Sequence, residues 1–222
     1  MNFSEIPALI EPLLIGAVTT VEITLVSLLV AVVIGLSFAL IKLSRLKALH
    51  WLIDIYVEIF RGTPVLAQLF IIYFGLAYLG IRVNAFPAAI IGLGLNGGAV
   101  LTEVFRAGLA AIHHGQREAA LSVGMTPWST MRYIILPQTW RITLPPLGNY
   151  VISMFKDSPL LSAITLLEML RRATIFGKDT FRYLEPYTLV GLAYLTLSLA
   201  ASWLVGRLER RMGQPGGRPA HG

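Results

Sequence analysis

Glu118-Ala119-Ala120, three residues, Gly124, nine residues, Ile134, one residue, Leu136-Pro137: this spacing lies in a polar stretch between two long apolar runs. Each residue type in it has a mechanical reason. Alanine has no bulk, so a short helix carrying Ala119 and Ala120 can lie close to another surface. Glycine takes positive φ without a steric penalty, so Gly124 can stop that helix sharply. Thr126-Pro127 is an N-cap followed by a first helical position. Leu136-Pro137 is expected to close this second helix before the next apolar run begins. A short, well-stopped helix on a loop between membrane spans is a docking device.

The rest of the chain supplies the membrane. Of 222 residues, 55% are hydrophobic and 14% charged, against about a quarter charged in an ordinary soluble domain. The apolar residues form long runs, as a bilayer-crossing helix of about 20 residues requires. Five spans are expected, from about Leu13 to Ile41, Pro64 to Ile81, Phe86 to Ile112, Ile142 to Leu167 and Pro186 to Gly206. The second is approached through Asp54, Glu58 and Arg61. This is an all-α, polytopic membrane protein. Residues 1–209 form its transmembrane domain, with the docking loop at about 113–137. Residues 210–222, basic and rich in Gly and Pro, read as a disordered tail.

Orientation follows the excess of Lys and Arg in cytoplasmic loops. With the N-terminus outside, twelve basic residues fall inside: Lys42, Arg45, Lys47, Arg61, Arg106, Arg117, Arg132, Arg141, Arg207, Arg210, Arg211 and Arg218. Five fall outside: Arg82, Arg171, Arg172, Lys178 and Arg182. The C-terminus and the Glu118 loop are therefore expected in the cytoplasm. The net charge of +6 is explained by these loops, without nucleic acid.

Several functions are excluded. There are no cysteines, hence no disulfide, thiolate nucleophile or Cys-based metal site. The first basic residue is Lys42, so no cleavable signal peptide is read. His113 and His114 have no partner at ligand spacing. No GxxxxGK[ST] occurs, so ATP is not bound through a P-loop, and no Ser/His/Asp set has a suitable context. No internal repeat is visible. An odd span number without inverted symmetry speaks against the usual secondary-transporter architectures.

Ionisable groups inside a span are expensive and functional by default. Lys156 and Asp157 fall near the middle of the fourth expected span, followed by Ser158 and by Pro159, which removes a donor and disfavours helix at Ser158. An interrupted helix is expected there, with polar groups exposed to a cavity as in proteins that place them around a polar solute. Lys156 suits a carboxylate; Asp157 suits an ammonium group or orients the break. The less favoured reading of the pair is a buried ion pair fixing helix packing. In the third span Asn96 and Glu103 share a helix face. Each reads as a solute contact or as packing, Glu103 having Arg106 one turn away. Gly94 and Gly98 form a GxxxG step for close helix approach. The segment Glu168–Glu185 mixes both charge signs and reads as a solvated outer loop.

The Glu118-to-Pro137 pattern resembles the EAA loop of permease subunits of ABC importers. Phe60-Arg61-Gly62-Thr63-Pro64 with Gln68, and Lys156-Asp157-Ser158, resemble the branch for polar amino acids of the histidine, glutamine and arginine type. The resemblance covers nearly the whole chain. It implies the type I ABC importer permease fold with a cytoplasmic coupling helix, in a bacterial inner membrane. It implies that Glu118, Ala119, Ala120 and Gly124 couple to a separate ATPase subunit, which holds ATP and Mg; this chain would carry no cofactor and catalyse nothing. It also implies a second, identical or related permease, an extracytoplasmic solute-binding protein, and a small-molecule solute at Asn96, Glu103, Lys156, Asp157 and Ser158. The branch often has Lys-Asp-Thr-Ser-Leu where this chain has Lys156-Asp157-Ser158-Pro159-Leu160, and tyrosine at Val100. A related compact zwitterion such as ectoine would suit such a modified site. The rival expectation is an ion-coupled secondary transporter or channel using Lys156 and Asp157.

Overall fold

The computed structural model describes residues 6–44 and 46–212, and no β-strand occurs among them. Among the described residues nine helices follow in order: α1 (Ile6–Ile41), α2 (Lys47–Gly62), α3 (Val65–Tyr78), α4 (Ala85–Ala110), α5 (His114–Ser122), α6 (Pro127–Thr130), α7 (Leu136–Asp157), α8 (Met169–Thr180) and α9 (Leu184–Met212). A π-turn (Ile71–Gly75) widens the middle of α3, a second (Met131–Ile135) joins α6 to α7, and a 3₁₀ turn (Ser158–Ile164) follows α7.

Among the described residues, three helices are long and apolar enough to cross a membrane: α1, α4 and α9. They match the first, third and fifth expected spans, with α1 beginning at Ile6 instead of near Leu13. The second expected span is α3, but α2 meets it at a bend of 105°. The charged approach is thus a separate amphipathic helix, folded across the end of the bundle. α9 continues to Met212, so residues 210–212 of the expected tail are helical, and the remainder lies outside the described residues.

The fourth expected span differs most. The helix begins at Leu136 and ends at Asp157, where Ile142 to Leu167 was expected. Lys156 and Asp157 therefore occupy its final turn, away from the middle of a span. The shift has a physical cause. Gln138, Thr139 and Arg141 look polar enough to end an apolar run, yet Thr139 and Thr143 return their hydroxyls to the backbone at Ile135 O (2.9 Å) and Thr139 O (3.0 Å), which suits a helix deprived of water. Thr20, Thr24 and Thr102 do the same in α1 and α4.

The core is strung along α1. Its Ile23 meets Leu69 of α3, Leu93 of α4, Met154 of α7 and Leu161 of the 3₁₀ turn. Its Ala31 and Ala39 join Leu101, Phe105 and Ile135, and Leu13 packs near Met169 and Val190. The glycine stripe of α4 explains the closeness to α1. A Cβ at Gly94 would lie 2.7 Å from Val30, and one at Gly98 would lie 2.7 Å from Ile34 and from the Tyr56 hydroxyl. The GxxxG step thus admits α1 itself.

Candidate functional site: a docking loop and three polar clusters

The loop at one end of the bundle is built by its local chemistry. α5 stops at Gly124, whose φ is +82°. Gly124 N donates to Leu121 O (3.0 Å) and Met125 N to Ala120 O (3.1 Å), so the carbonyls at the helix end are satisfied without solvent. Thr126 then caps α6, its hydroxyl accepting from Ser129 N (3.2 Å), with Pro127 in the first turn. Glu118 is exposed and pairs with His114 (3.1 Å). Ala120 is buried and Ala119 exposed.

Two features were not foreseen in the spacing. The turn exposes apolar surface: Val123 is 78% and Trp128 72% exposed, with Leu121 and Tyr133 beside them. Secondly, Leu136-Pro137 does not close the second helix. The π-turn Met131–Ile135 carries α6 directly into α7, and Pro137 is the second residue of α7, directly after that turn, so the helix runs through it. Residues 127–157 are helical without a break, through the π-turn and with Pro145 and Pro146 inside α7, a contour of about 45 Å at the α-helical rise. Gln138 ties this segment to α5, donating to Gln116 Oε1 (3.3 Å) and Ile134 O (3.0 Å). One end of the segment carries Trp128; the other carries Lys156 and Asp157.

The five candidate solute residues fall at different depths. Nearest the loop end, Glu103 accepts from Arg106 Nε (2.9 Å) and Nη2 (2.6 Å), with Lys42 Nζ at 3.9 Å. Lys42 also pairs with Asp54 of α2. Glu103 is thus held in a four-residue ion network joining the end of α1, the middle of α2 and the last third of α4. About 10 Å further along α4, Asn96 Nδ2 donates to the carbonyl of Phe60 (2.8 Å). Gln68 Nε2 donates to the same carbonyl (2.8 Å), to Thr63 O (3.1 Å) and to Thr63 Oγ1 (2.8 Å). The Phe60-to-Pro64 motif and Gln68 therefore build the 105° bend, and Asn96 fastens it to α4.

At the far end Ser158 is buried and donates to Phe155 O (2.8 Å). Lys156 is exposed and Asp157 half-buried, and no ion pair joins them among the described residues. No hydrogen bond or ion pair among the described residues links Asn96 or Glu103 to Lys156, Asp157 or Ser158. In this chain alone the candidates are three separate clusters at different depths, and the charged side chains of the last make no ion pair among the described residues.

The supposed outer loop also differs from its expectation. α8 occupies most of it, and Glu168 is fully buried as its N-cap. Its carboxylate accepts from Leu170 N (2.8 Å), Arg171 N (2.7 Å) and the Tyr194 hydroxyl of α9. Mixed charge signs gave no hint of this, because a buried capping carboxylate and a solvated one look alike in sequence.

Comparison with known proteins agrees with this architecture. The chain matches the family described as binding-protein-dependent transport system inner membrane component over residues 31–214. It is 41% identical over 198 residues to the probable amino-acid ABC transporter permease protein y4tG of Sinorhizobium fredii, covering 89% of this chain and 86% of the relative. It is 36% identical over 209 residues to the arginine transport system permease protein ArtQ of Bacillus subtilis, covering 94% of each. A crystal structure of an amino acid ABC transporter with histidines superposes with a TM-score of 0.89 at 37% identity, covering 95% of this chain and 99% of that one.

Proposed function

The chain belongs to the binding-protein-dependent transport system inner membrane component family, and from that premise we propose how its parts work as the permease subunit of an ATP-driven importer of amino acids. The α5–α6 turn is the contact for a separate ATPase subunit. α3 and α7 complete five crossings with α1, α4 and α9, the N-terminus outside and the loop in the cytoplasm. A second permease, identical or related, faces this one across the pathway, and an extracytoplasmic binding protein delivers the solute.

The observation that carries this reading is the unbroken helical segment of residues 127–157. A helical segment with an exposed apolar hook at one end and, at the other, Lys156 and Asp157 without an ion pair among the described residues transmits a displacement of the hook to the charges. ATPase closure would move Trp128 and its neighbours, tilt α7, and change the access of Lys156 and Asp157. An amino acid offers a carboxylate to Lys156 and an ammonium group to Asp157. Glu103 and Asn96 hold the inner wall through their bonds to Arg106 and Phe60. This chain supplies positioning and coupling, and the chemistry of ATP belongs to its partner. An ion relay through Lys156 and Asp157 alone would leave the exposed loop without a purpose.

The test is co-purification from the host membrane, followed by ATPase assays over a panel of amino acids and compact zwitterions. A co-purifying ATPase stimulated by an amino acid is expected. Uptake that follows an ion gradient with no associated ATPase would overturn the reading.

A further inference from the structure

A cavity of about 480 Å³ lies between α1, α7 and α9. Its lining is aliphatic apart from Phe155: Leu25 of α1, Leu147 and Val151 of α7, and Leu197, Ala201 and Leu204 of α9 are representative. Its volume is that of a site for a molecule of several dozen atoms, about 300–1,000 Å³ being usual. Leu25 and Leu204 are each 54% exposed, so the cavity opens sideways, to the bilayer side of the bundle.

Its charged mouth is set by helix geometry. α7 and α9 run in opposite directions and touch closely where a Cβ on Gly148 would collide with Val205. From that crossing towards the loop end, Arg141 lies seven residues down α7 and Arg211 six residues along α9, that is, about 10 Å and about 9 Å. The two arginines therefore stand at the same level. Each continues the stripe that lines the cavity, one turn beyond Leu144 and Leu208 respectively. Both are exposed, and neither has an ion-pair partner among the described residues. Trp140 lies beside Arg141, partly exposed, as suits the headgroup level of a membrane.

Resting on the membrane orientation proposed above, we infer that this groove holds an acyl chain of an anionic phospholipid from the cytoplasmic leaflet, with the headgroup phosphate between Arg141 and Arg211. An apolar slot ending in two unpaired cations matches the amphipathic shape of that lipid. A helix from a second copy would fill the slot but would leave both cations without counter-charge.

The experiment uses the full-length permease with its co-purifying partners in mild detergent, incubated with phosphatidylglycerol or phosphatidylcholine and read by native mass spectrometry. Wild type should retain phosphatidylglycerol in preference. Arg141→Gln with Arg211→Gln should lower that retention by about fivefold for each arginine removed and abolish the preference. Ala201→Trp should reduce retention of both lipids by filling the slot. Equal retention of both lipids by wild type, or unchanged retention in the arginine double variant, overturns the inference. So does an Ala201→Trp protein that keeps its lipid but loses its permease partner, which would assign the groove to a second copy. The ATPase seen or missing in the same spectra judges the transporter reading separately from the lipid count.

Discussion

The side-chain amide of Asn96 donates to the main-chain carbonyl of Phe60 at 2.8 Å. That carbonyl belongs to the last turn of α2, just before the chain bends by 105°, where no further helical N–H is available to it. Gln68 supplies a second donor from the first turn of α3. Two amide side chains from different helices thus satisfy one carbonyl that the bend would otherwise strand.

Asn96→Leu and Gln68→Leu should both loosen the bend, Gln68→Leu more so because it removes three bonds at once. A buried polar group left without its partner costs about 1–3 kcal/mol. Thermal midpoints in detergent should fall in the order wild type, Asn96→Leu, Gln68→Leu. An Asn96→Leu protein of unchanged midpoint with lost solute-stimulated ATPase activity would instead place Asn96 in contact with solute.

Glu168 makes a similar argument at the far end. Its carboxylate is buried and serves two backbone N–H groups and the Tyr194 hydroxyl. Glu168→Ala orphans all three and should destabilise by several kcal/mol, at about 1–3 for each stranded donor. Glu168→Gln keeps one acceptor oxygen and should lose less. In a double-mutant cycle, Glu168→Ala and Tyr194→Phe should fall short of additive by about 0.5–3 kcal/mol. Full additivity in the measured midpoints would show that the two side chains act independently.

These residues also mark how far the sequence could be read. α1, α4 and α9 were legible because a long apolar run with few charges has few places to go but across a bilayer. α2 was not, since Asp54 and Glu58 read as a charged approach to a span, whereas they lie on the polar side of a 16-residue amphipathic helix. The boundaries of α7 slipped because apolar runs mark contact with lipid, whereas Gln138 and Thr139 are helical through their bonds to the backbone. The turn at Gly124 and the cap at Thr126 followed from residue chemistry alone. The exposed Val123 and Trp128 did not, because side-chain direction depends on how α5 sits against α7.

For the solute, the informative variants are Lys156→Met and Asp157→Asn. Neither side chain is held by an ion pair among the described residues, so neither change should cost much stability, about 0.5 kcal/mol or less for the exposed Lys156. Both should lower uptake while the complex still assembles. Wild-type uptake kinetics in both would remove these residues from the pathway. Glu103→Gln is the contrasting case: its partners Arg106 and Lys42 lie within its own network, so it should change stability by no more than about 1 kcal/mol and leave solute selectivity as it was.

The α5–α6 turn gives the sharpest separation of folding from the proposed coupling. Gly124 has φ +82° and open space where a side chain would stand. Gly124→Ala should therefore cost only the backbone penalty of a left-handed residue, about 1–2 kcal/mol, with coupling largely kept. Gly124→Trp adds bulk on the surface proposed to meet the ATPase, and Trp128→Ala removes a hook that makes no hydrogen bond within the described chain. Both should insert and fold yet bind the ATPase more weakly, by tenfold or more if Trp128 is an anchor worth about 2 kcal/mol. Glu118→Lys should weaken association in the same assay by reversing an exposed charge. The measurement is ATPase retained on the immobilised permease, alongside its thermal midpoint. Undiminished retention in Gly124→Trp, Trp128→Ala and Glu118→Lys alike would mean that the α5–α6 turn is not where the ATPase binds.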